Sequence, residues 1–343
     1  MLAAPLALDD VHAHPKTLVV EDNLSGARLL AFLERQWPDL DRAGLRGLLR
    51  DGRVTVNGAD AHAQSRLRSG DVVLVDMPEA GLRRFRGASS RTEFAAGDLP
   101  VLAENALALV VDKPSGLACV PDRFGRSQGV HGLLTELRPN DDLRIAHRTD
   151  RLTSGCLVLA KGIDGARWLD LCFREGRVHK EYLALVEGVM AEDRREIARA
   201  LGPDPRRPGK VLVMDPQQKG AREAVTAIEV VERFRAHTLL RALPRTGRGH
   251  QIRVHLASQH HPIVADVDYG AEGPLRLSSL KSGYKSPRGG TEAALLSRFF
   301  LHAARVEVPM PEGLAPLCAE SALPADLQLA LEKLRRFAPR SDP

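Results

Sequence analysis

What most limits the fold of this chain is the way its apolar residues are parcelled. In the C-terminal two thirds they come in short runs, at residues 107–111, 156–160, 178–187, 210–214, 226–231 and 237–243, closed by glycine, proline or charged turns. Runs this short suit strands. A helical stretch is expected over residues 166–175, stopped by Gly176, and a charged helical piece over 192–201. A doubly wound parallel sheet needs a helix in every crossover, whereas here helices fall between strands at irregular intervals. The expected class is therefore α+β, with a largely antiparallel mixed sheet and flanking helices.

The N-terminal part has a different texture. Residues 1–16 hold two prolines and no sustained period and read as a loose arm. Residues 17–77 read as a small module. Ser25 is placed to cap a helix carrying Leu29, Leu30, Leu33 and Trp37, which Pro38 ends. A second helix is expected over 41–50, with Leu45, Leu48 and Leu49 on one face and Arg42, Arg46 and Arg50 recurring every fourth residue on another. Strands follow at 53–56 and 72–75, with Asn57-Gly58 as a hairpin turn. Residues 78–100, with Arg83, Arg84, Arg86 and Arg91, read as a basic linker, and 101–340 as the larger domain, loop-rich over 117–142.

Charge and cysteine usage narrow the classes. At 343 residues there is room for two domains, and a net charge of +5 permits a polyanionic partner. Arginine outnumbers lysine, which suits phosphate recognition. The cysteines at 119, 156, 172 and 318 show no metal-binding spacing and are expected to be reduced thiols of a cytoplasmic protein. No leader or membrane-spanning run is apparent. Gly247-Arg248-Gly249 lacks the third glycine of a dinucleotide loop. His250 and His255, five apart, diverge on either a helix or a strand, so with His260 and His261 they are not expected to share a metal.

The candidate site is His147-Arg148-Thr149-Asp150-Arg151-Leu152-Thr153-Ser154-Gly155, followed by an apolar run and Lys161. A carboxylate between two arginines before a Thr-Ser-Gly turn reads either as a surface ion pair, of about 0–1 kcal/mol, or as a site. Other segments decide the matter. D-K-P-S-G-L (112–117), H-R-T-D-R-L-T-S-G-C-L-V-L-A-K (147–161), K-E-Y-L-A-L-V-E-G (180–188), G-R-G-H-Q-I-R-V-H-L (247–256) with H-P-I-V-A-D-V-D-Y-G after it, and L-H-A (301–303) together resemble the RluA-type pseudouridine synthases. Ahead of them, L-R-G-L-L-R-D-G-R-V-T-V-N-G with S-G-D-V-V-L-V resembles the alpha-L RNA-binding domain, known to precede that catalytic domain.

The resemblance implies that a uridine in RNA has its glycosidic bond broken, and that the uracil turns and is rejoined through carbon 5, without metal or organic cofactor. Asp150 matches the catalytic aspartate, as nucleophile on the anomeric carbon or base on the 2′ carbon; both remain open. Arg253 matches its salt-bridge partner, on a helix, and Tyr182 the tyrosine that stacks on uracil. Arg148 matches a residue that fills the vacated stack, Lys180 is expected at a phosphate, and Arg42, Arg46, Arg50 and Arg53 are expected on RNA backbone. Ribosomal RNA is the expected partner, with transfer RNA or a non-catalytic ribosome-assembly role as alternatives, and the protein is expected to be a monomer. Thr149 and Gly249 depart from the family, which usually has leucine and threonine there. Lys281, Lys285, Arg288 and Arg298 lie in a divergent stretch, 271–300, with no assigned role.

Overall fold

The computed structural model describes residues 16–37, 42–50, 52–76, 94–120, 129–284 and 292–340. Residues 1–15 of the arm, Arg83, Arg84, Arg86 and Arg91 of the linker, and Lys285 and Arg288 lie outside them, while Lys16, read as the arm's last residue, begins a strand. The chain divides into two compact units, 1–93 and 94–343.

In the first unit, helices Leu29–Gln36 and Arg42–Arg50 accompany a four-stranded antiparallel sheet ordered Lys16–Val19, Val72–Val75, Val54–Val56, Ala59–Asp60. Leu29, Leu33, Trp37, Leu45 and Leu48 bury with Val54, Val73 and Val75 in one core. Asn57 and Gly58 both take positive φ, 52° and 80°, the backbone a two-residue hairpin requires between Val56 and Ala59. Ser25 is not the helix cap: it follows the short turn Asp22–Leu24, and the helix starts at Leu29 with Arg28 in the capping position. The extended backbone at Arg28 pairs with Arg66, so strand-like contact holds the chain open through these residues.

In the second unit, one sheet of ten described strands runs Arg194–Ala198, Val225–Arg233, His237–Pro244, His179–Glu187, Leu301–Val308, Ser154–Lys161, Ala108–Lys113, Val101–Glu104, with Leu317–Glu320 and Leu143–Ile145 as side branches. Its described pairings are antiparallel except that of Leu301–Val308 with Ser154–Lys161. The sheet is thus mixed and mostly antiparallel, as the irregular helix spacing implied. Alternation along the central strands feeds two cores. Leu109, Val111, Leu157 and Leu159 pack with Val130, Leu133 and Leu134 of the helix Val130–Leu137, joined by Leu99 and Leu117. Ala108, Val110, Cys156 and Val158 point the other way, onto Leu169 and Cys172 of the helix Gly162–Arg174 and a core that includes Leu327, Leu331 and Leu334 of the helix Ala325–Phe337.

Two expectations give way. Residues 192–201 form no helix: Arg194–Ala198 is a strand against Val225–Arg233, with Ile197 buried and Arg194 in an ion pair with Glu229 directly opposite it. A sheet's edge tolerates the same charge density as a solvated helix face, so composition does not separate the two. Within the loop-rich stretch 117–142, the helix Val130–Leu137 forms because Val130, Leu133 and Leu134 share a face that the sheet can cover.

Candidate functional site

Asp150 lies in the loop between the strands Leu143–Ile145 and Ser154–Lys161, and that loop is fastened from beneath. The fully buried Lys113 donates through Nζ to the carbonyls of Pro114 (3.1 Å), Leu117 (3.0 Å) and Arg151 (3.2 Å). Burial pulls its pKa down to about 8, and the carbonyl cage gives the cation its solvation. The Gly116 N–H donates to the Arg151 carbonyl at 2.8 Å, Arg151 Nε donates back to the Gly116 carbonyl at 2.7 Å, and Ser115 Oγ donates to the Leu152 carbonyl at 2.8 Å. Segment 112–117 is a clamp for the segment that carries Asp150, and Arg151 is one of its staples.

A second fastening comes from the end of the chain. Arg298, almost buried, holds Asp326 through both fork nitrogens (2.7 and 3.1 Å) and donates through Nη1 to the Leu152 carbonyl at 3.0 Å. Gly155, at φ +107°, sits so close to the Leu301–Val308 strand that a Cβ there would meet the Ala303 carbonyl oxygen at 2.2 Å. This contact, with the parallel register His302↔Ser154 and Ala303↔Gly155, brings segment 301–303 beside the Thr-Ser-Gly turn.

Arg253 comes from the helix Gln251–Ala257 that follows the strand His237–Pro244. Gln251 anchors this helix: its Oε1 accepts from Thr246 Oγ1 (2.7 Å) and the Arg248 N–H (3.0 Å), while its Nε2 donates to the Val225 carbonyl and to Thr226 Oγ1. The guanidinium is then held on several sides. Nε and Nη2 form a bidentate pair with Asp266 at 2.7 and 2.8 Å, and Nη2 also reaches Asp268 at 3.2 Å. The rings of Phe299 and Tyr269 lie 4.2 and 4.8 Å from the guanidinium carbon. Nη1 donates to Asp150 Oδ2 at 3.0 Å, across 103 positions of sequence. Burial alone would lower the arginine's pKa, but the hydrogen bonds and charge of Asp266, followed by those of Asp150, more than offset it and the net shift is upward.

The two segments meet at a cleft of about 990 Å³ lined by Asp150, Arg253, Arg148, Lys180, Tyr182 and His250. Tyr182 sits mid-sheet, its backbone opposite Ala242 on one side and Ala303 on the other, with its side chain all but buried. Burial first, and the nearby Asp150 charge second, push its phenol well above the ordinary range, so it stays protonated at neutral pH. Lys180, two residues back on the same strand, is pulled down to about 8 by burial, and its ammonium lies 5.9 Å from the Phe173 ring. Arg148 is exposed at the rim. A carboxylate fixed by a buried arginine, beside a protonated phenol and between cationic rims, can act on a polyanion whose reacting part enters a partly desolvated pocket.

The departures at 149 and 249 are locally accommodated. Thr149 N–H donates to Cys119 Sγ at 3.4 Å, and the thiol donates to the Thr149 carbonyl at 3.4 Å. A Cβ at Gly249 would have Val211 Cγ2 as its neighbour at 3.9 Å, so space does not require glycine there. His255 bonds Thr226 Oγ1 and the Arg199 carbonyl through its two ring nitrogens, at 2.9 and 3.0 Å. Among the described residues no group of three or more His, Cys, Asp or Glu is arranged to hold a metal ion. No helix among them is long and apolar enough to cross a membrane.

The sequence-predicted Asp150, Arg253, Tyr182, Arg148 and Lys180 therefore line one cleft. Arg46 and Arg50 are exposed on the helix Arg42–Arg50 of the other unit, and Arg53 pairs with Asp76 at 2.9 Å. Sequence reasoning missed Asp266, Arg298, Lys113 and Gln251. Each lies in or near a quoted segment, but the partners of Asp266 and Arg298 are set only by the fold.

A model of the family described as RNA pseudouridylate synthase matches residues 108–258. The chain is 33% identical over 334 residues to "Ribosomal large subunit pseudouridine synthase D" of Xanthomonas campestris pv. campestris, covering 94% of this chain and 93% of that protein. It is 32% identical over 323 residues to "Ribosomal large subunit pseudouridine synthase C" of Escherichia coli, covering 93% and 97%. Of solved structures, "Human RNA Pseudouridylate Synthase Domain Containing 4" shares the fold with a TM-score of 0.52 at 23% identity, over 68% of this chain and 92% of that one.

Proposed function

Since this chain belongs to the RNA pseudouridylate synthase family and is an enzyme of that kind, we propose that it isomerises uridine in large-subunit ribosomal RNA, with Asp150 as the catalytic carboxylate. The observation that carries this assignment is the 3.0 Å contact between Arg253 Nη1 and Asp150 Oδ2 in the cleft. Either available role for Asp150, attack on the anomeric carbon or removal of the 2′ proton, needs an ionised carboxylate in a closed site. Arg253, locked in place by Asp266, presents Nη1 and a share of its charge to that carboxylate without having to move.

In this reading the target uridine leaves its stack, at a cost of about a few kcal/mol, and lays its uracil against Tyr182. Arg148 takes the vacated position and Lys180 meets a phosphate. Once the glycosidic bond opens, the uracil turns and rejoins through carbon 5, and the displaced carbon 5 proton leaves to water; Tyr182, whose phenol stays protonated, assists by relaying it, giving up its own hydrogen as it takes the new one. The 17–77 module adds affinity through Arg42, Arg46, Arg50 and Arg53 on RNA backbone, without reading sequence. We take the protein to act in the cytoplasm, as a monomer. The two relatives compared above bear ribosomal large-subunit names, which favours ribosomal over transfer RNA.

The test is release of label from carbon 5 of uridine in large-subunit ribosomal RNA, in transfer RNA and in an unrelated transcript. Release from the first alone is expected, with none for Asp150→Asn. Full release by Asp150→Asn overturns the assignment of the carboxylate, and release from transfer RNA alone overturns the substrate.

A further inference from the structure

His250 lines the cleft, yet nothing in the reading above uses it. Its backbone lies in the left-handed region, φ 54° and ψ 18°, as the residue that caps the Arg253 helix. A histidine held there is under local strain, and such strain persists where surrounding contacts fix the residue for a purpose. Those contacts are specific. Nδ1 is 2.7 Å from the Tyr269 hydroxyl, and that hydroxyl accepts the Val211 N–H at 3.0 Å. Nε2 points the other way, 3.8 Å from Asp150 Oδ1, the oxygen that Arg253 leaves free.

The protons in this chain can be placed. Val211 N–H can only donate, so it occupies one lone pair of the phenol oxygen. The phenol's own hydrogen then needs an acceptor, and among the described residues His250 Nδ1 is the one within hydrogen-bond range. With Nδ1 accepting, the neutral ring carries its hydrogen on Nε2, facing the carboxylate. We propose that His250 is a positioning residue for Asp150, locked by Tyr269 and Val211 into the tautomer whose Nε2–H steadies the free carboxylate oxygen as the site closes on substrate. A shift of about one ångström converts the present separation into a hydrogen bond. The charged groups around the ring are Asp150, Arg253, Lys210 and Asp268; burial, the largest influence on the imidazole, lowers its pKa and keeps it neutral.

Tyr269 and Val211 belong to a larger fitting. Arg207 donates to the Asp268 carbonyl, and Lys210 pairs with the Asp268 carboxylate. The hairpin of Leu201–Pro203 with Val211–Val213 is thereby joined to the turn that holds Arg253, and the position of His250 is set from outside the cleft.

This inference rests on Asp150 being the catalytic carboxylate, and its test separates the two. Nitrogen-15 NMR of histidine-labelled full-length protein at pH 7 is expected to show His250 with a protonated Nε2 and a bare Nδ1. Tyr269→Phe keeps the ring stacked on Arg253 and is expected to mix the tautomers and to lower kcat about tenfold with KM unchanged. His250→Gln, which keeps a donor at the ε position, is expected to retain more kcat than His250→Asn. A protonated Nδ1 in the wild type, an unchanged tautomer in Tyr269→Phe, or His250→Asn equalling His250→Gln would each overturn the proposal. Full activity of Asp150→Asn would instead remove the reading beneath it while leaving the tautomer result standing.

Discussion

Replacing Arg253 with alanine separates a structural cation from a decorative one. Asp266, facing it, has a side chain only 1% exposed, and the bidentate pair is its ionic partner. Deleting the guanidinium strands that carboxylate, at about 3–5 kcal/mol. Loss of the stacking on Phe299 and Tyr269 adds about 0.5–2 kcal/mol. At about 2–4 °C per kcal/mol for a domain of this size, the total of about 3.5–7 kcal/mol should lower the melting temperature by about 7–28 °C. Asp150→Asn leaves the Arg253–Asp266 pair intact and should shift stability by about 1 kcal/mol or less. Both variants should lose label release, so activity cannot distinguish them and thermal unfolding can. The cycle Arg253→Met, Asp266→Asn and the double variant should show a coupling of about 2–3 kcal/mol, because the double variant buries no lone charge. A melting point for Arg253→Ala within about 2 °C of wild type would refute the reasoning, since it would mean that Asp266 is solvated some other way.

Gly155→Ala should reduce soluble yield sharply, because its Cβ would meet the Ala303 carbonyl oxygen at 2.2 Å in a positive-φ backbone; native yield and melting point would show the clash relieved. Glu104 is held at about 2 by hydrogen bonds from Arg138 and then Lys161, below its ordinary 4.5. Its depressed pKa gives stability that is complete above 4.5 and is lost as pH falls from there toward about 2. Glu104→Gln should therefore cost about 1 kcal/mol at pH 7, after discount for solvent screening, and the urea midpoints of the two proteins should converge on acidification. Alanine at Arg42, Arg46 or Arg50 should flatten the salt dependence of RNA binding by about 0.7–0.9 in log–log slope for each lost phosphate contact. Arg53→Ala should do less than Arg46→Ala, since Asp76 already holds that guanidinium; an equal effect at these two positions would contradict this ordering.

Where local pattern decides structure, the sequence is readable. The Asn57-Gly58 hairpin, the arginine helix of the first unit and the buried runs of the central strands follow from period and turn chemistry. Arg194–Ala198 is different, because its partner strand Val225–Arg233 begins some thirty residues away and supplies the pairing that overrides helical composition. The helix Ala325–Phe337 carries Leu327, Ala330, Leu331 and Leu334 at helical spacing, so its existence is legible. Its function is not, since Asp326 acquires meaning only when Arg298 bridges it to Leu152. The site divides the same way: Asp150 and Arg253 are visible through motif resemblance, whereas Asp266 as neutraliser and Lys113 as cage-bound staple follow from burial. Arg151, the nearer of the candidate charge partners in sequence, turns out to fasten Gly116.

The strand Leu301–Val308 lies between His179–Glu187 and Ser154–Lys161, and the helix behind it grips the Asp150 loop through Arg298 and Asp326. During synthesis, then, the residues that line the cleft emerge well before the strand and helix that fasten its Asp150 loop. A ribosome-bound chain that has exposed Asp150, Tyr182 and even Arg253 still has a sheet with a gap at its centre. Closing that gap requires a long-range strand insertion, an inherently late folding event. The cleft is thus left unfastened until the strand Leu301–Val308 and the helix Ala325–Phe337 have joined it, so a truncation that removes them should cost both native stability and label release.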